Sequence, residues 1–160
     1  MAAALLEEKR VRGANRVALY AASAGELPTR MIFEALGSIR AVRLLPRLEG
    51  EQMVWARVED WDELAPDRFG IPSPASPPIE DGLNRGDVVL APGVAFDRAG
   101  WRLGRGGGHY DRAFREANDA PWLVGVGFAF QWIADVPHDS RDRRVDAIVT
   151  EHGWVWRARG

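Results

Sequence analysis

Short apolar runs alternate with helix-forming segments along this chain, and the alternation limits the fold more than any other feature. Residues 16–22 (RVALYAA) form an apolar run that is short enough for a buried strand, and three small residues (SAG) follow it as a turn. Residues 26–36 (ELPTRMIFEAL) then carry apolar side chains at helical spacing, with Pro28 in the first turn, where a helix tolerates it. A strand, a turn and a helix in this order predict a βα unit.

Further apolar runs predict the other strands of the same sheet. These runs cover residues 41–45, 52–58, 87–90, 122–128, 147–149 and 154–156. Two more helices are predicted at residues 2–13 and 110–117, whereas residues 66–85 contain five prolines and predict a long irregular loop. The alternation predicts one domain over residues 1–160, an α/β fold with three layers (α/β/α) and a mostly parallel sheet.

Charge and composition exclude several classes of protein. The formal net charge is −2, so no overall positive field would attract nucleic acid or an anionic membrane. The chain has no cysteine, which excludes disulfides, thiolate metal sites and cysteine nucleophiles. No apolar run is long enough to span a bilayer, and the short apolar start runs into Glu7 and Glu8, unlike a secretory signal. We expect a cytoplasmic monomer that binds neither nucleic acid nor membrane.

A glycine-rich segment carries the strongest chemical signal. Residues 98–112 (RAGWRLGRGGGHYDR) hold five glycines and four arginines. Glycines let backbone N–H groups approach an anion closely, and arginines add paired donors, so the segment predicts a phosphate site with Arg102 and Arg105 as candidates. It matches neither the P-loop pattern nor the dinucleotide fingerprint. On this segment alone, a flexible connection with solubilising arginines is an equal alternative.

The runs PGVAFD, GWRLGRGGG and HYDR, in this order, resemble the signature of the 5-formyltetrahydrofolate cyclo-ligase family. Residues 20–29, with an E-x-x-T pattern, are similar to the strand–turn–helix of that family, residues 70–72 (GIP) to its G-I-x-x-P loop and residues 145–146 (VD) to its closing V-D. The resemblance spans about residues 16–156. It implies an ATP- and Mg²⁺-dependent cyclisation of 5-formyltetrahydrofolate to 5,10-methenyltetrahydrofolate, with a phosphorylated formyl intermediate and release of ADP and phosphate.

The same resemblance implies roles for individual residues. Arg105 would be catalytic, Glu26 would bind the folate, and Asp111 with Asp146 would hold Mg²⁺. Residues implied to contact ATP are Arg102, Leu103, Gly104, Arg105, Gly106, Gly107, Gly108, His109 and Tyr110. Residues implied to contact the folate are Ala21, Glu26, Arg105, Gly106, Gly107, Gly108 and His109. On local sequence alone, Glu26 and Asp111 are better explained as charges in a first helical turn, and Asp146 as a solvated strand end.

Two departures from the family pattern qualify the expected activity. His109 occupies a position where the family typically has tyrosine. The amino-terminal K-x-x-[LM]-R helix of the family, which contributes cations to ATP, is matched poorly by Lys9, Arg10 and Arg12, so we expect a shortened amino terminus and weakened ATP binding. The alternative is therefore a non-catalytic relative that binds folate or nucleotide. A measurement of ATP turnover would distinguish it from an active enzyme. An RNA-associated module using the arginines ranks behind both, given the net negative charge.

Overall fold

The computed structural model describes residues 1–115 and 120–156. In chain order, the elements are α1 (Ala2–Glu7), α2 (Lys9–Arg12), β1 (Arg16–Ala18), α3 (Arg30–Leu36), β2 (Val42–Glu49), β3 (Gln52–Arg57), β4 (Ala65–Pro66), β5 (Pro72–Ser73), β6 (Val88–Pro92), β7 (Ala95–Phe96), β8 (Arg102–Leu103), α4 (His109–Arg115), β9 (Trp122–Val126), β10 (Ala147–Thr150) and β11 (Gly153–Trp156). Short 3-10 turns lie at Trp61–Glu63 and Ala129–Gln131. Within the described ranges, no helix has the length and apolar character needed to cross a membrane.

Seven strands form one mixed sheet in the order β11, β10, β9, β6, β1, β2, β3. The strands from β10 to β2 in this order pair in parallel, whereas β3 and β11 pair antiparallel at the two edges. The chain moves from β1 to β2 on one side and later returns to β6 on the other side of β1. Parallel sheets of this type leave a crevice at the carboxyl ends of the two strands where the direction reverses. Here that crevice lies between β1 and β6.

Two apolar cores lie on opposite faces of this sheet. Because side chains alternate along a strand, Val17 and Val88 face one core, and their neighbours Ala18 and Val89 face the other. The first core is covered by helical side chains from α1, α2 and α3, namely Leu5, Val11, Ile32, Phe33 and Leu36. The second core is covered by α4 through Phe114. The predicted α/β class, with helices on both faces of a mostly parallel sheet, is confirmed.

Two predicted helices differ in the structure for local reasons. The helix predicted at residues 2–13 divides at Glu8, whose backbone is extended and whose carboxylate accepts a hydrogen bond from the Arg10 amide at 3.1 Å. The helix predicted at residues 26–36 begins only at Arg30 as α3. Its start is set by Thr29, whose hydroxyl donates to the carbonyl of Tyr20 at the end of the β1 segment. Residue 26 therefore lies in the preceding turn and not in a first helical turn.

The strands lie where the sequence predicts them, but several observed strands differ in length from the predicted ones. The run at residues 16–22 is a named strand only as far as Ala18, whereas β2 continues to Glu49 because β3 pairs with it along its second half. The loop predicted at residues 66–85 is irregular apart from the two-residue ladder of β4 and β5. The β7–β8 hairpin was not predicted. The helix predicted at residues 110–117 begins at residue 109, and the end of that prediction lies outside the described residues.

The ring of Phe96 imposes a tight packing constraint on β9. A Cβ atom built on Gly125 would lie 2.5 Å from this ring. We expect Gly125→Ala to lower the free energy of unfolding by about 1–3 kcal/mol, because overpacking forces the ring or the strand to move. Gly104→Ala is the control, since a Cβ there meets only the Arg102 guanidinium at an ordinary 3.5 Å. Urea unfolding measures both variants, and equal midpoints would contradict the packing argument.

Candidate active site

A cavity of about 250 Å³ opens at the carboxyl ends of β1 and β6. Tyr20 and Ala21 follow β1, Pro92 is the last residue of β6, and Gly93 follows it. Both strands therefore contribute to the wall of the cavity. The loop between β8 and α4 supplies the facing wall, including Arg105. The cavity therefore occupies the crevice between the two strands, where open α/β sheets bind their ligands.

A cluster of three polar side chains joins two walls of this cavity. Oε2 of Glu26 accepts hydrogen bonds from the Ser23 amide at 2.8 Å and from the Ser23 hydroxyl at 2.9 Å. Arg105 donates to the Ser23 hydroxyl at 2.6 Å and to the carbonyl of Ala24 at 2.6 Å. Its Nε lies 3.5 Å from Oε1 of Glu26. The turn after β1 and the glycine-rich loop, 82 positions apart at Ser23 and Arg105, are thereby held together.

The exposure of these groups shows which of them can rearrange. The side chain of Arg105 is 50% exposed, whereas that of Glu26 is 15% exposed. An ion pair with one exposed partner contributes little to stability, because water screens it. The ion pair with Glu26 therefore adds little to the two hydrogen bonds that Arg105 makes to the turn, and an anionic ligand could replace these bonds. Glu26 stays fixed by the Ser23 amide and hydroxyl.

Arg102 is the buried cation of the site. Its side chain is 3% exposed, donates to Oδ1 of Asp111 at 3.0 Å and lies 5.5 Å above the ring of Tyr110. Its Nε is buried and has no hydrogen-bond partner in the described part of the chain. An unsatisfied donor on a buried guanidinium is costly, so an acceptor on a ligand in the cavity would stabilise this arginine. Burial raises the pKa of the Tyr110 phenol, which stays protonated and can donate a hydrogen bond.

The glycine-rich loop has a backbone that only glycine adopts easily. Gly106 and Gly108 have φ angles of +89° and +61°, in the left-handed region. The imidazole of His109 lies against Gly107, where a Cβ would be 2.7 Å from the ring, and its Nδ1 is 2.9 Å from Nη2 of Arg112. Larger side chains at these glycines would strain the loop or displace the imidazole. This conformation is consistent with the sequence prediction of a loop whose backbone N–H groups can approach an anion closely.

An apolar wall closes another side of the cavity. It is formed by the β2–β3 hairpin and the proline-rich loop, with side chains that include Leu48, Met53, Phe69, Ile71 and Pro72. Phe69 is 63% exposed at this wall. Oδ1 of Asp67 fixes the loop, because it accepts hydrogen bonds from the amides of Phe69 at 2.8 Å and Ile71 at 2.9 Å. An extended, partly aromatic ligand would contact this wall.

The turn after β6 is held by a residue that the sequence did not single out. Nε2 of Gln131 donates to the carbonyls of Gly93 at 2.7 Å and Val94 at 3.1 Å, and its Oε1 accepts from the Phe128 amide at 2.7 Å. This carboxamide is buried and uses both its donor and its acceptor. It fixes the backbone of the cavity rim and is not placed to react.

The two aspartates expected to hold a metal do not lie at the same cavity. Asp111 lines the cavity, with Oδ1 also accepting from the Arg143 amide at 3.2 Å. Asp146 precedes β10 at the amino ends of the parallel strands, where its Oδ2 accepts from the Leu123 amide at 3.0 Å. Over residues 1–115 and 120–156, no group of three or more His, Cys, Asp or Glu residues is arranged to hold a metal ion.

The amino-terminal cations also lie away from the cavity. Lys9 and Arg10 line a second depression together with Asp146 and Trp122. The Arg10 guanidinium lies 5.1 Å above the Trp122 ring. Neither Lys9 nor Arg10 lines the cavity.

Most of the predicted site residues do meet at the cavity. Those that line it are Ala21, Glu26, Arg102, Gly104, Arg105, Gly107, Gly108, His109, Tyr110 and Asp111. Leu103, the last residue of β8, and Gly106, in the loop that follows, do not line the cavity. Sequence reasoning did not assign a role to Ser23, Asp67 or Gln131. The small residues before Glu26 were a signal for Ser23, whereas Gln131 had none, since the carbonyls that it binds at the cavity rim lie 37 and 38 positions away.

Comparison with known proteins identifies the same family as the sequence motifs. A model of the 5-formyltetrahydrofolate cyclo-ligase family matches residues 1–151. The 5-formyltetrahydrofolate cyclo-ligase of Escherichia coli strain K12 is 31% identical over 150 residues, which cover 89% of this chain and 82% of that protein. The mouse protein of the same name is 24% identical over 159 residues, covering 92% of this chain and 78% of the mouse sequence.

Solved structures share the fold. The NMR structure of Aquifex aeolicus 5,10-methenyltetrahydrofolate synthetase aligns with a TM-score of 0.81 and 31% identity, covering 99% of this chain and 80% of that one. A 5,10-methenyltetrahydrofolate synthetase from Mycoplasma pneumoniae aligns with a TM-score of 0.68 and 24% identity, covering 91% and 77% of the two chains. The second similarity supports the fold alone.

Proposed function

The chain belongs to the 5-formyltetrahydrofolate cyclo-ligase family, and from this membership we propose that it converts 5-formyltetrahydrofolate to 5,10-methenyltetrahydrofolate with release of ADP and phosphate from ATP. Membership makes the chain an enzyme, a ligase of folate metabolism. The proposal adds the ATP co-substrate, the phosphorylated intermediate and the residues that serve each step. A cytoplasmic location, a monomeric state and a single domain over residues 1–160 stay predictions.

One observation carries this proposal. Glu26 and Arg105, 79 positions apart in the sequence, face each other across one cavity, with Nε and Oε1 at 3.5 Å. A carboxylate that can accept hydrogen bonds from a pterin and an arginine that can bind phosphate therefore lie at the same place. A reaction between a folate and a nucleotide requires such an arrangement.

The proposed reaction proceeds in two steps. The formyl oxygen of the folate first bonds to the γ-phosphorus of ATP while the bond from phosphorus to the β–γ bridging oxygen breaks, and ADP leaves. N10 of the same folate then bonds to the formyl carbon and loses its proton, and the carbon–oxygen bond breaks to release phosphate. Phosphorylation converts the formyl oxygen, a poor leaving group, into a phosphate, which leaves readily. The second step is intramolecular, so proximity lowers its barrier.

The two arginines would serve the phosphoryl group in different ways. Arg105 is half-exposed and can turn from Glu26 towards charge that develops during transfer, so we assign it the catalytic role. Arg102 is buried and fixed by Asp111, and its unsatisfied Nε is available to a phosphate oxygen. Backbone amides of the glycine-rich loop, from Gly104 to His109, would add neutral donors. The protonated Tyr110 phenol would add one more donor.

The folate would lie across the other half of the cavity. The Glu26 carboxylate would accept from the donor edge of the pterin, and the small side chain of Ala21 leaves room for a ring beside it. The apolar wall, including Met53 and Ile71, would cover the aromatic parts of the ligand. Phe69 is exposed at this wall and can stack on a ring. Burying the ligand between these walls would also keep water from the activated carbon.

Magnesium fits this cavity in part. Asp111 provides a hard carboxylate at the wall, which suits Mg²⁺, whereas Asp146 does not line the cavity. Mg²⁺ in nucleotide sites commonly takes only one or two carboxylates beside phosphate oxygens and water. When bound with ATP, the ion would offset phosphate charge. We therefore propose Asp111 as its ligand and leave the role of Asp146 to experiment.

The direct test mixes the purified protein with 5-formyltetrahydrofolate and Mg·ATP and follows the methenyl product by its absorbance. We expect product to form with one ADP released per ring closed. Omitting ATP should stop the reaction. Binding of both ligands without product would contradict the proposal and would favour a non-catalytic relative.

Arg105→Ala tests the catalytic assignment. We expect kcat to fall by about 10²–10³-fold, because a donor aimed at developing charge acts chiefly in the transition state. The unfolding midpoint should change little, since the side chain is half-exposed. Arg98→Ala is the matched control, because Arg98 is an exposed arginine of the same segment that does not line the cavity. Equal loss of activity in the two variants would refute the assignment.

Magnesium titration of the rate separates the two aspartates. Asp111→Asn should raise the Mg²⁺ concentration needed for half-maximal rate, because a neutral amide is a weaker ligand for a hard cation. Asp146→Asn should leave the titration unchanged if the ion is held at the cavity. Urea unfolding is measured in parallel, since Asp111 also pairs with Arg102. A shift for Asp146→Asn alone would place the metal elsewhere.

A further inference from the structure

We propose that Ser23 is a positioning residue that orients Glu26 for the folate, an inference that rests on the proposed function. No role was assigned to Ser23 by its sequence pattern. Its importance follows from its place between the carboxylate proposed to bind folate and the arginine proposed to bind phosphate.

Ser23 fixes one oxygen of the carboxylate and leaves the other facing the cavity. Both the amide and the hydroxyl of Ser23 donate to Oε2 of Glu26, at 2.8 and 2.9 Å. Two donors on one oxygen restrict rotation of the carboxylate about its last torsion, which is otherwise broad. Oε1 is then directed to the side from which Arg105 approaches. A ligand that displaces Arg105 would meet Oε1 in a set orientation.

The Ser23 hydroxyl is itself oriented by Arg105. A hydroxyl has one proton, so donation to Glu26 leaves its lone pairs to accept from Arg105 at 2.6 Å. The arginine therefore stabilises the rotamer in which the hydroxyl points to Glu26. The hydroxyl thus links the folate half of the site to the phosphate half, beside the direct contact of the Arg105 Nε with Oε1 of Glu26 at 3.5 Å.

A purely structural role for Ser23 makes a different prediction. If the hydroxyl only closed the turn after β1, its removal would loosen the turn whether or not residue 26 is a carboxylate. If the hydroxyl acts through Glu26, its removal should matter only while the carboxylate is present. A double-mutant cycle distinguishes the two cases.

The experiment measures the dissociation constant of 5-formyltetrahydrofolate by calorimetry for the parent, Ser23→Ala, Glu26→Ala and the double variant. Ser76→Ala is the control, because Ser76 is also partly buried, donates one hydrogen bond, to the Arg57 carbonyl at 2.6 Å, and does not line the cavity. The unfolding midpoint and the cyclisation rate are measured for each protein.

We expect Ser23→Ala to weaken folate binding about tenfold, because the ligand must then order a carboxylate that the hydroxyl no longer holds. In the Glu26→Ala background, the same change should weaken binding by less than about twofold. Ser76→Ala should bind as the parent does. The Ser23→Ala protein should unfold at a slightly lower midpoint than the parent, because the hydroxyl bonds to Glu26 and Arg105 are lost while the backbone bond from residue 23 to Glu26 remains.

Two results would overturn the inference while the proposed function stands. One is an active parent whose folate affinity is unchanged by Ser23→Ala. The other is a tenfold loss that persists in the Glu26→Ala background, which would show that the hydroxyl acts on the turn alone. A parent that neither binds nor converts 5-formyltetrahydrofolate would instead refute the proposed function, and the inference with it.

Discussion

The parallel pairing of β1 with β6 is the constraint on which the site depends. These strands are distant in sequence, and their amino ends are joined by Arg16, which donates to both carboxylate oxygens of Asp87 at 3.0 and 2.7 Å. The Asp87 side chain is fully buried, so removing Arg16 would leave an unpaired carboxylate in the sheet. With the amino ends held together, the carboxyl ends must also lie side by side. The cavity forms in the crevice between them.

The polar cluster at the centre of the proposed site comes from loops at that edge. The turn after β1 carries Ser23 and Glu26, and the loop before α4 carries Arg105. Hydrogen bonds from Arg105 to the turn hold these two loops together. The same contacts thus involve the groups proposed to bind folate and phosphate. Ligand binding would exchange these internal partners for substrate groups of similar chemistry.

The sequence predicts the sheet better than it predicts the site. Apolar periodicity locates the strands because burial on both faces of a parallel sheet demands it, as for Val88 and Val89. The start of α3 was misplaced because the Thr29 hydroxyl bonds to the carbonyl of Tyr20, a partner that local propensity does not reveal. The family resemblance led to Glu26 and Arg105, but the bridging position of Ser23 depends on a residue 82 positions away. Contacts of this kind require the folded chain.

Amide hydrogen exchange tests most directly whether one cavity holds both ligands. The exchange of the protein alone is compared with that in 5-formyltetrahydrofolate, in Mg·ADP, and in both together. The account predicts slower exchange in residues 20–27 with the folate and in residues 102–110 with the nucleotide, because these segments form the facing walls. Protection confined to the depression around Lys9 and Asp146, or none near the cavity with saturating ligand, would contradict it.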